Sequence, residues 1–275
     1  MSDRPLVISC GNQKGGVGKT TTTVNLAYAL GEAGYRVLVV DGDPQGNTTS
    51  ILLKEIALRE RFSLVKALET MADGGTLTEN ACNTSSDNVR VVPNTVKCIL
   101  WERSVANTSD SVLAFMRLIR NDKELKEYDF LVIDTPPNVG TMVNNALLIS
   151  DYVIIPIPTS DQFALDGLAV YLKLLQSFRS QNNKLKLLGM VFTKFDTNCS
   201  LHLSNREKIV KFFTAKGINV FNTAIRFNVE IDKSHMKRKT ILEFNPESYS
   251  AADYRSLCKE IIELINYDSG KQRYQ

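Results

Sequence analysis

A chain of 275 residues with 43% hydrophobic and 23% charged residues is long enough to bury an ordinary globular core. A net charge of +3 does not by itself announce a nucleic-acid binder, so any such role must come from where the charges cluster. The composition also argues against three classes: five scattered cysteines without a CxxC pair do not suit a disulfide framework or a zinc site, and no apolar run approaches the roughly 20 residues that span a bilayer.

In chain order, Leu6 to Cys10, Arg36 to Val40, Phe130 to Ile133, Tyr152 to Ile157 and Lys186 to Phe192 read as buried strands. Each is aliphatic or β-branched and bounded by Gly, Pro, Asp or Asn. Thr20 to Ala33, Thr141 to Ile149, Ala164 to Ser180 and Leu203 to Lys216 have helical spacing. Tyr249 to Ile265 closes the chain as an amphipathic helix with Leu257, Ile261, Leu264 and Ile265 on one side. Asp73 to Asn88, rich in Gly, Thr, Ser and Asn, reads as a surface loop, and His202 and His235 as solvated surface positions. The alternation predicts an α/β fold, a mostly parallel twisted sheet with helices on both faces. Without a repeat or a low-complexity linker, residues 1–275 are expected to form one domain, with a polar tail at 267–275.

The first strand runs into Gly11-Asn-Gln-Lys-Gly-Gly-Val-Gly-Lys-Thr20 and then a helix. Gly15, Gly16 and Gly18 let the backbone of this loop, Val17 included, curl so that its N–H groups face phosphate oxygens. The helix that follows, through Thr21, adds its positive N-terminal end. Lys19 supplies charge for the β- and γ-phosphates, and the Thr20 hydroxyl is placed to ligate magnesium. The strict pattern wants Gly where this chain has Gln13, but strand, loop, Gly-Lys-Thr and helix are in register. A dinucleotide fingerprint starting at Gly16 would need Gly at Thr21 and fails.

Acidic residues stand at the ends of two predicted strands: Asp41 and Asp43 in DGDPQGN, and Asp134 after Phe-Leu-Val-Ile. Such residues can be mere turn-formers before Pro44 and Pro136. Beside a phosphate loop they are expected to organise magnesium and water instead.

Together, KGGVGKTTT, DGDPQGN, DTPP at Asp134 to Pro137, FALDGL at Phe163 to Leu168 and ILEFNPES resemble the ParA/MinD family of deviant Walker-A ATPases, in its Soj-like ParA branch. The resemblance covers nearly the whole chain. It implies a SIMIBI-like P-loop NTPase fold, ATP and Mg2+ as ligands, a homodimer on ATP and slow, partner-stimulated hydrolysis. Lys14 is similar to the family's signature lysine, which reaches the phosphates of the partner's ATP. Asp43 resembles the residue that positions the attacking water, with Asp41 and Asp134 supporting the magnesium shell. Thr193 falls near the adenine edge in this comparison, and Asn228 closes the Ile225-Arg226-Phe227-Asn228 stretch where relatives commonly show Ile-Pro-Arg-Asn.

The family also implies sequence-independent DNA binding and a ParB-like adaptor. Arg226 to Lys239 holds five cations, Arg226, Lys233, Lys237, Arg238 and Lys239, against Glu230 and Asp232, with Lys208, Lys211 and Lys216 on the preceding helix. Where relatives have Pro-Arg, Arg226 is expected to take over the basic role. The expected function is a positioning ATPase for a plasmid, a chromosome or a protein cargo, cytoplasmic and on the nucleoid when ATP-bound. The short stretch before Gly11 leaves no room for an operator-reading domain. A MinD-like membrane cycle is disfavoured by the polar C-terminus, iron–sulfur carriers by the cysteine spacing, and a tyrosine kinase by having only Tyr267 and Tyr274 in the tail.

Overall fold

The computed structural model describes residues 4–106, 108–159, 164–268 and 270. Its strands are β1 (Leu6–Cys10), β2 (Val37–Asp41), β3 (Cys82–Asn83), β4 (Val89–Val92), β5 (Phe130–Asp134), β6 (Tyr152–Pro158), β7 (Lys186–Phe195) and β8 (Val220–Arg226). Its helices are α1 (Lys19–Glu32), α2 (Asn47–Leu52), α3 (Leu64–Thr70), α4 (Lys97–Val105), α5 (Ser109–Asn121) and α6 (Thr141–Ile149). They continue with α7 (Ala164–Phe178), α8 (Ser200–Thr214), α9 (Val229–Met236), α10 (Ile241–Phe244) and α11 (Tyr249–Asp268).

The strands form one sheet in the order β3-β4-β2-β5-β1-β6-β7-β8. All pairings are parallel except that of the two-residue β3 at the edge. Because side chains alternate along a strand, neighbouring residues feed opposite cores. Ile8, Val39 and Val132 join a cluster with Leu26, Leu30, Leu257 and Ile261 of α1 and α11. Val7, Leu38 and Leu131 join Leu64, Phe115 and Met142 of α3, α5 and α6 on the other face. Farther along that second face, Ile155 and Phe192 pack with Tyr171 of α7 and Phe213 of α8. Burial on both faces explains why the central strands read as continuous apolar runs.

Three expectations are corrected. The segment read as a surface loop between Asp73 and Asn88 is largely interior: Leu77, Thr78 and Asn80 are buried, and Cys82–Asn83 adds an edge strand. Asp122 accepts from the Thr78 backbone N–H at 2.8 Å and from its hydroxyl at 2.7 Å, so polar residues there are buried with partners. Neither histidine is simply solvated: His202 Nδ1 accepts from the Asp196 N–H at 3.0 Å, and His235 is half-buried. The helix α11 also runs into the expected tail, where Asp268 accepts from Lys186 Nζ at 2.7 Å. Residues 271–275 and Phe163 lie outside the described residues.

Candidate functional site

β1, β2 and β5 lie side by side at the centre of the sheet, with Cys10 and Asp41 both in register with Asp134. Their C-terminal ends therefore deliver the phosphate loop, Asp43 and Asp134 to one place. In an open parallel sheet this is where ligands bind. The loop follows β1, with Gly16 at φ 71° and Gly18 at φ 93°, backbone angles that residues with a Cβ rarely adopt. Val17 is buried, and its carbonyl accepts from the Thr193 hydroxyl at 2.8 Å.

A cleft of about 480 Å³ opens above this loop. Gly15, Gly16, Gly18, Lys19, Thr20 and Thr21 line one end. Ile225, Phe227, Asn228, Ile231 and Tyr254 line the other, with Asp43 and Thr193 also on its walls. The loop thus brings N–H groups and a cation to the cleft, while β8, α9 and α11 bring apolar side chains together with Arg226 and Asp232. That is the division a nucleoside triphosphate requires.

Lys19 is almost fully buried, and its Nζ donates to the Lys14 carbonyl at 2.9 Å. Burial pushes its pKa down, while Asp134 and Asp43 oppose that shift. Lys14 is half-buried at the loop's start and is not among the described residues that line the cleft. Its backbone N–H is held by Asn12 Oδ1 at 3.0 Å, and Asn12 Nδ2 donates to the Pro156 carbonyl at 2.9 Å.

The carboxylates divide the work. Asp134 is fully buried and accepts from the Thr20 hydroxyl at 2.7 Å and the Thr48 hydroxyl at 2.8 Å. Burial raises its pKa to about 6, against the lowering effect of both hydroxyls. Asp41 is also fully buried, and its Oδ2 accepts from the Thr49 N–H at 2.8 Å and the Thr49 hydroxyl at 2.6 Å. Its Oδ1 accepts from the Asp43 N–H at 3.2 Å. Burial, then the neighbouring Asp134 charge, pushes Asp41 up to about 8. These contacts tie Asp41 to the start of α2 and to the Asp43 turn, beside Asp134 on the neighbouring strand. Asp43 faces the cleft, and its Oδ1 is fixed by the Gln45 N–H at 2.9 Å.

The donor set fits magnesium. The Thr20 hydroxyl donates its hydrogen bond to Asp134, which leaves its oxygen lone pairs available for a cation, and Thr20 lines the cleft. Magnesium commonly takes few protein ligands and keeps waters and phosphates for the rest.

Asn228 caps α9 by accepting from the Glu230 N–H at 3.0 Å, at the cleft's apolar end. Lys233, Lys237, Arg238 and Lys239 are exposed along and just after that helix. Arg226 differs from them. Its guanidinium donates to Asp253 at 2.7 Å, lies over the Tyr249 ring at 4.8 Å, and lines the cleft. Sequence reasoning missed Asn12, Thr48 and Thr49. The two threonines open a helix immediately after DGDPQGN, and that placement was the available signal.

Residues 6–187 match the family described as "AAA domain". The chain is 34% identical over 256 residues to the sporulation initiation inhibitor protein Soj of Bacillus subtilis strain 168, covering 93% of this chain and 97% of that one. It is 32% identical to the chromosome-partitioning ATPase Soj of Thermus thermophilus, covering 94% and 96%. Among solved structures, cobyrinic acid a,c-diamide synthase from Mycobacterium smegmatis with bound ADP and magnesium shares the fold, with a TM-score of 0.77 at 24% identity over 98% and 97% of the two chains. Fold and loop together define a P-loop nucleotide-binding protein with a lysine at the head of its phosphate loop. More narrowly, the chain belongs to the ParA/MinD family of P-loop ATPases, in its Soj-like branch.

Proposed function

We propose that this chain is a partition ATPase that closes into a homodimer on ATP, holds DNA without sequence preference in that state, and lets go when an adaptor stimulates hydrolysis. The observation that carries this reading is a shared helix. α9 begins at the nucleotide cleft with Asn228, Ile231 and Asp232 on its wall, and it ends at the cations Lys237, Arg238 and Lys239. Occupancy of the cleft and presentation of the basic face therefore depend on one short element. The chain folds as one unit over residues 1–275 in this reading. No helix among the described residues is long and apolar enough to cross a membrane.

In the cycle, Lys19 leaves the Lys14 carbonyl for the β- and γ-phosphates. Gly15 to Thr21 wrap those phosphates with backbone N–H groups, and the apolar end receives the adenine. Thr20 would hold magnesium, with Asp134 orienting its hydroxyl, and the ion would supply charge neutralisation at the phosphate oxygens. Asp43, held by Gln45 and Asp41, orients the attacking water. Lys14 serves the partner's ATP, adding a cation where charge develops during transfer. What supports the cross-dimer role is that Lys14 opens the loop without lining its own cleft. A ParB-like adaptor would act at the same interface, and the ATP-bound dimer would reside on the nucleoid.

The test is binding to a random-sequence duplex with ATP, ADP or no nucleotide across a salt series, with Lys14→Ala as control. Binding only with ATP, falling steeply with salt and lost in Lys14→Ala, is expected. ATP-dependent binding that survives in Lys14→Ala would remove the cross-dimer role. Absence of binding in every state would move the recognised surface to a protein cargo or a membrane.

A further inference from the structure

The phosphate loop has a support that its motif does not contain. Tyr171, on α7, is one of the most deeply buried aromatic residues, with 1% of its surface exposed. Its Oη is buried and finds no hydrogen-bond partner among the described residues. It is lodged against Gly11, the residue that leads from β1 into the loop: a Cβ built on Gly11 would lie 1.7 Å from Tyr171 Oη and 2.5 Å from Cζ. The ring end thus fills the notch that the missing side chain leaves. Phenylalanine would fill most of that notch without burying an unpaired hydroxyl, so packing alone does not account for tyrosine.

What Gly11 touches gives the contact its meaning. The Gly11 N–H donates to the Ile154 carbonyl at 3.0 Å, and Asn12 next to it reaches the Pro156 carbonyl. Asn12 also fixes the Lys14 N–H, while the Lys14 carbonyl holds Lys19 Nζ. One line of contacts therefore runs from α7 through Tyr171, Gly11 and Asn12 to both lysines of the loop. In this state Lys19 is parked on backbone. Nucleotide binding must draw it to the phosphates, which frees the Lys14 carbonyl and lets the root of the loop adjust.

We propose that Tyr171 is a positioning residue that biases the phosphate loop toward its nucleotide-bound state. Its unpaired hydroxyl penalises the parked arrangement, and adjustment of Gly11 and Asn12 brings a backbone acceptor within its reach. A residue on α7 thereby sets part of the ATP affinity without touching ATP. This rests on the ATPase reading given above.

The experiment compares full-length wild type with Tyr171→Phe in thermal melts with and without Mg-ATP, and in steady-state hydrolysis. Removing the hydroxyl relieves the parked state. The nucleotide-free Tm of the variant is expected to rise by about 2–4 °C, and its gain on adding ATP to shrink. The KM for ATP should rise about fivefold with kcat held within about twofold, a split that a merely structural role would not produce. A fall in nucleotide-free Tm would mean that the hydroxyl is already bonded, and the proposal fails. An unchanged KM beside a normal wild-type response overturns it equally. If wild type itself gains no stability from ATP, the ATPase reading falls and takes this inference with it.

Discussion

Thr193 makes its contact from behind the phosphate loop. Its hydroxyl donates to the Val17 carbonyl, and its methyl lies 3.4 Å from where a Cβ on Gly18 would stand. Thr193→Val keeps the volume and leaves that buried carbonyl unpaired, a loss of about 1 kcal/mol or a fivefold rise in KM for ATP. Because the contact is to the loop, GTP should be weakened as much as ATP, which a comparison of KM for the two nucleotides would check. A loss confined to ATP would place Thr193 at the adenine edge instead. His235 allows a prediction with a defined sign. Burial lowers its pKa from 6.5, against the opposing charge of Asp232. A histidine depressed in the folded state leaves stability intact above its unfolded pKa and costs stability as pH falls below it. Melts between pH 7.5 and pH 5, a window of about one unit above and more than one below the ordinary histidine value, should show a loss that His235→Gln reduces. Equal slopes for the two proteins would show that other groups govern the acid limb.

Between β2 and β5 the chain builds elements that turn on buried polar pairs. Asp122, at the end of α5, holds the Thr78 turn, and Asn80 Oδ1 accepts from the Ser63 N–H at the N-cap of α3. Asp122→Ala would leave a buried N–H and hydroxyl without their acceptor, a destabilisation of about 1–3 kcal/mol that chemical denaturation would read. A loss within experimental error would return this segment to the status of a surface loop. The same pairs explain what the sequence hid. Leu6–Cys10, Phe130–Asp134 and the other central strands were legible because burial on both faces forces unbroken apolar runs. β8 was not, because in Val-Phe-Asn-Thr-Ala-Ile-Arg only Phe221 and Ile225 are buried. The segment at 75–82 was not, because threonine and asparagine read as solvent-facing unless their partners are known, and Asp122 lies 44 residues from Thr78. In the site, Gly15 to Thr21 and Asp43 could be read because backbone curl and strand-end carboxylates have local spacing. Asn12, Thr48 and Tyr171 act through partners far away in sequence, and spacing carries no trace of those.

At the scale of the whole molecule, a net charge of +3 is too small to hold DNA by a diffuse field. Under the proposed function, affinity for DNA has to come from doubling a local patch, and the structure separates two kinds of cation within it. Lys237, Arg238 and Lys239 follow α9 on a turn closed by the Lys239 N–H to the Ser234 carbonyl at 3.0 Å, with Arg238 at φ 54°. Three successive exposed cations on a backbone fixed this way can meet phosphates without further ordering of the main chain, so only side-chain freedom is lost. Arg226 is instead engaged by Asp253 and Tyr249, so it would have to give up that pair to reach DNA. Each phosphate contact contributes about 0.9 to the slope of log affinity against log salt. Changing Lys237 and Lys239 to Gln removes four cations from a dimer, so the ATP-dependent slope should fall by about 3 to 4. Arg226→Gln should leave the slope nearly unchanged and lower thermal stability, because its loss falls on the join between β8 and α11. If Arg226→Gln instead lowers the slope by about 2, the share of its two cations per dimer, the Asp253 pair opens when the dimer forms, and the basic face is assembled by ATP rather than merely brought together.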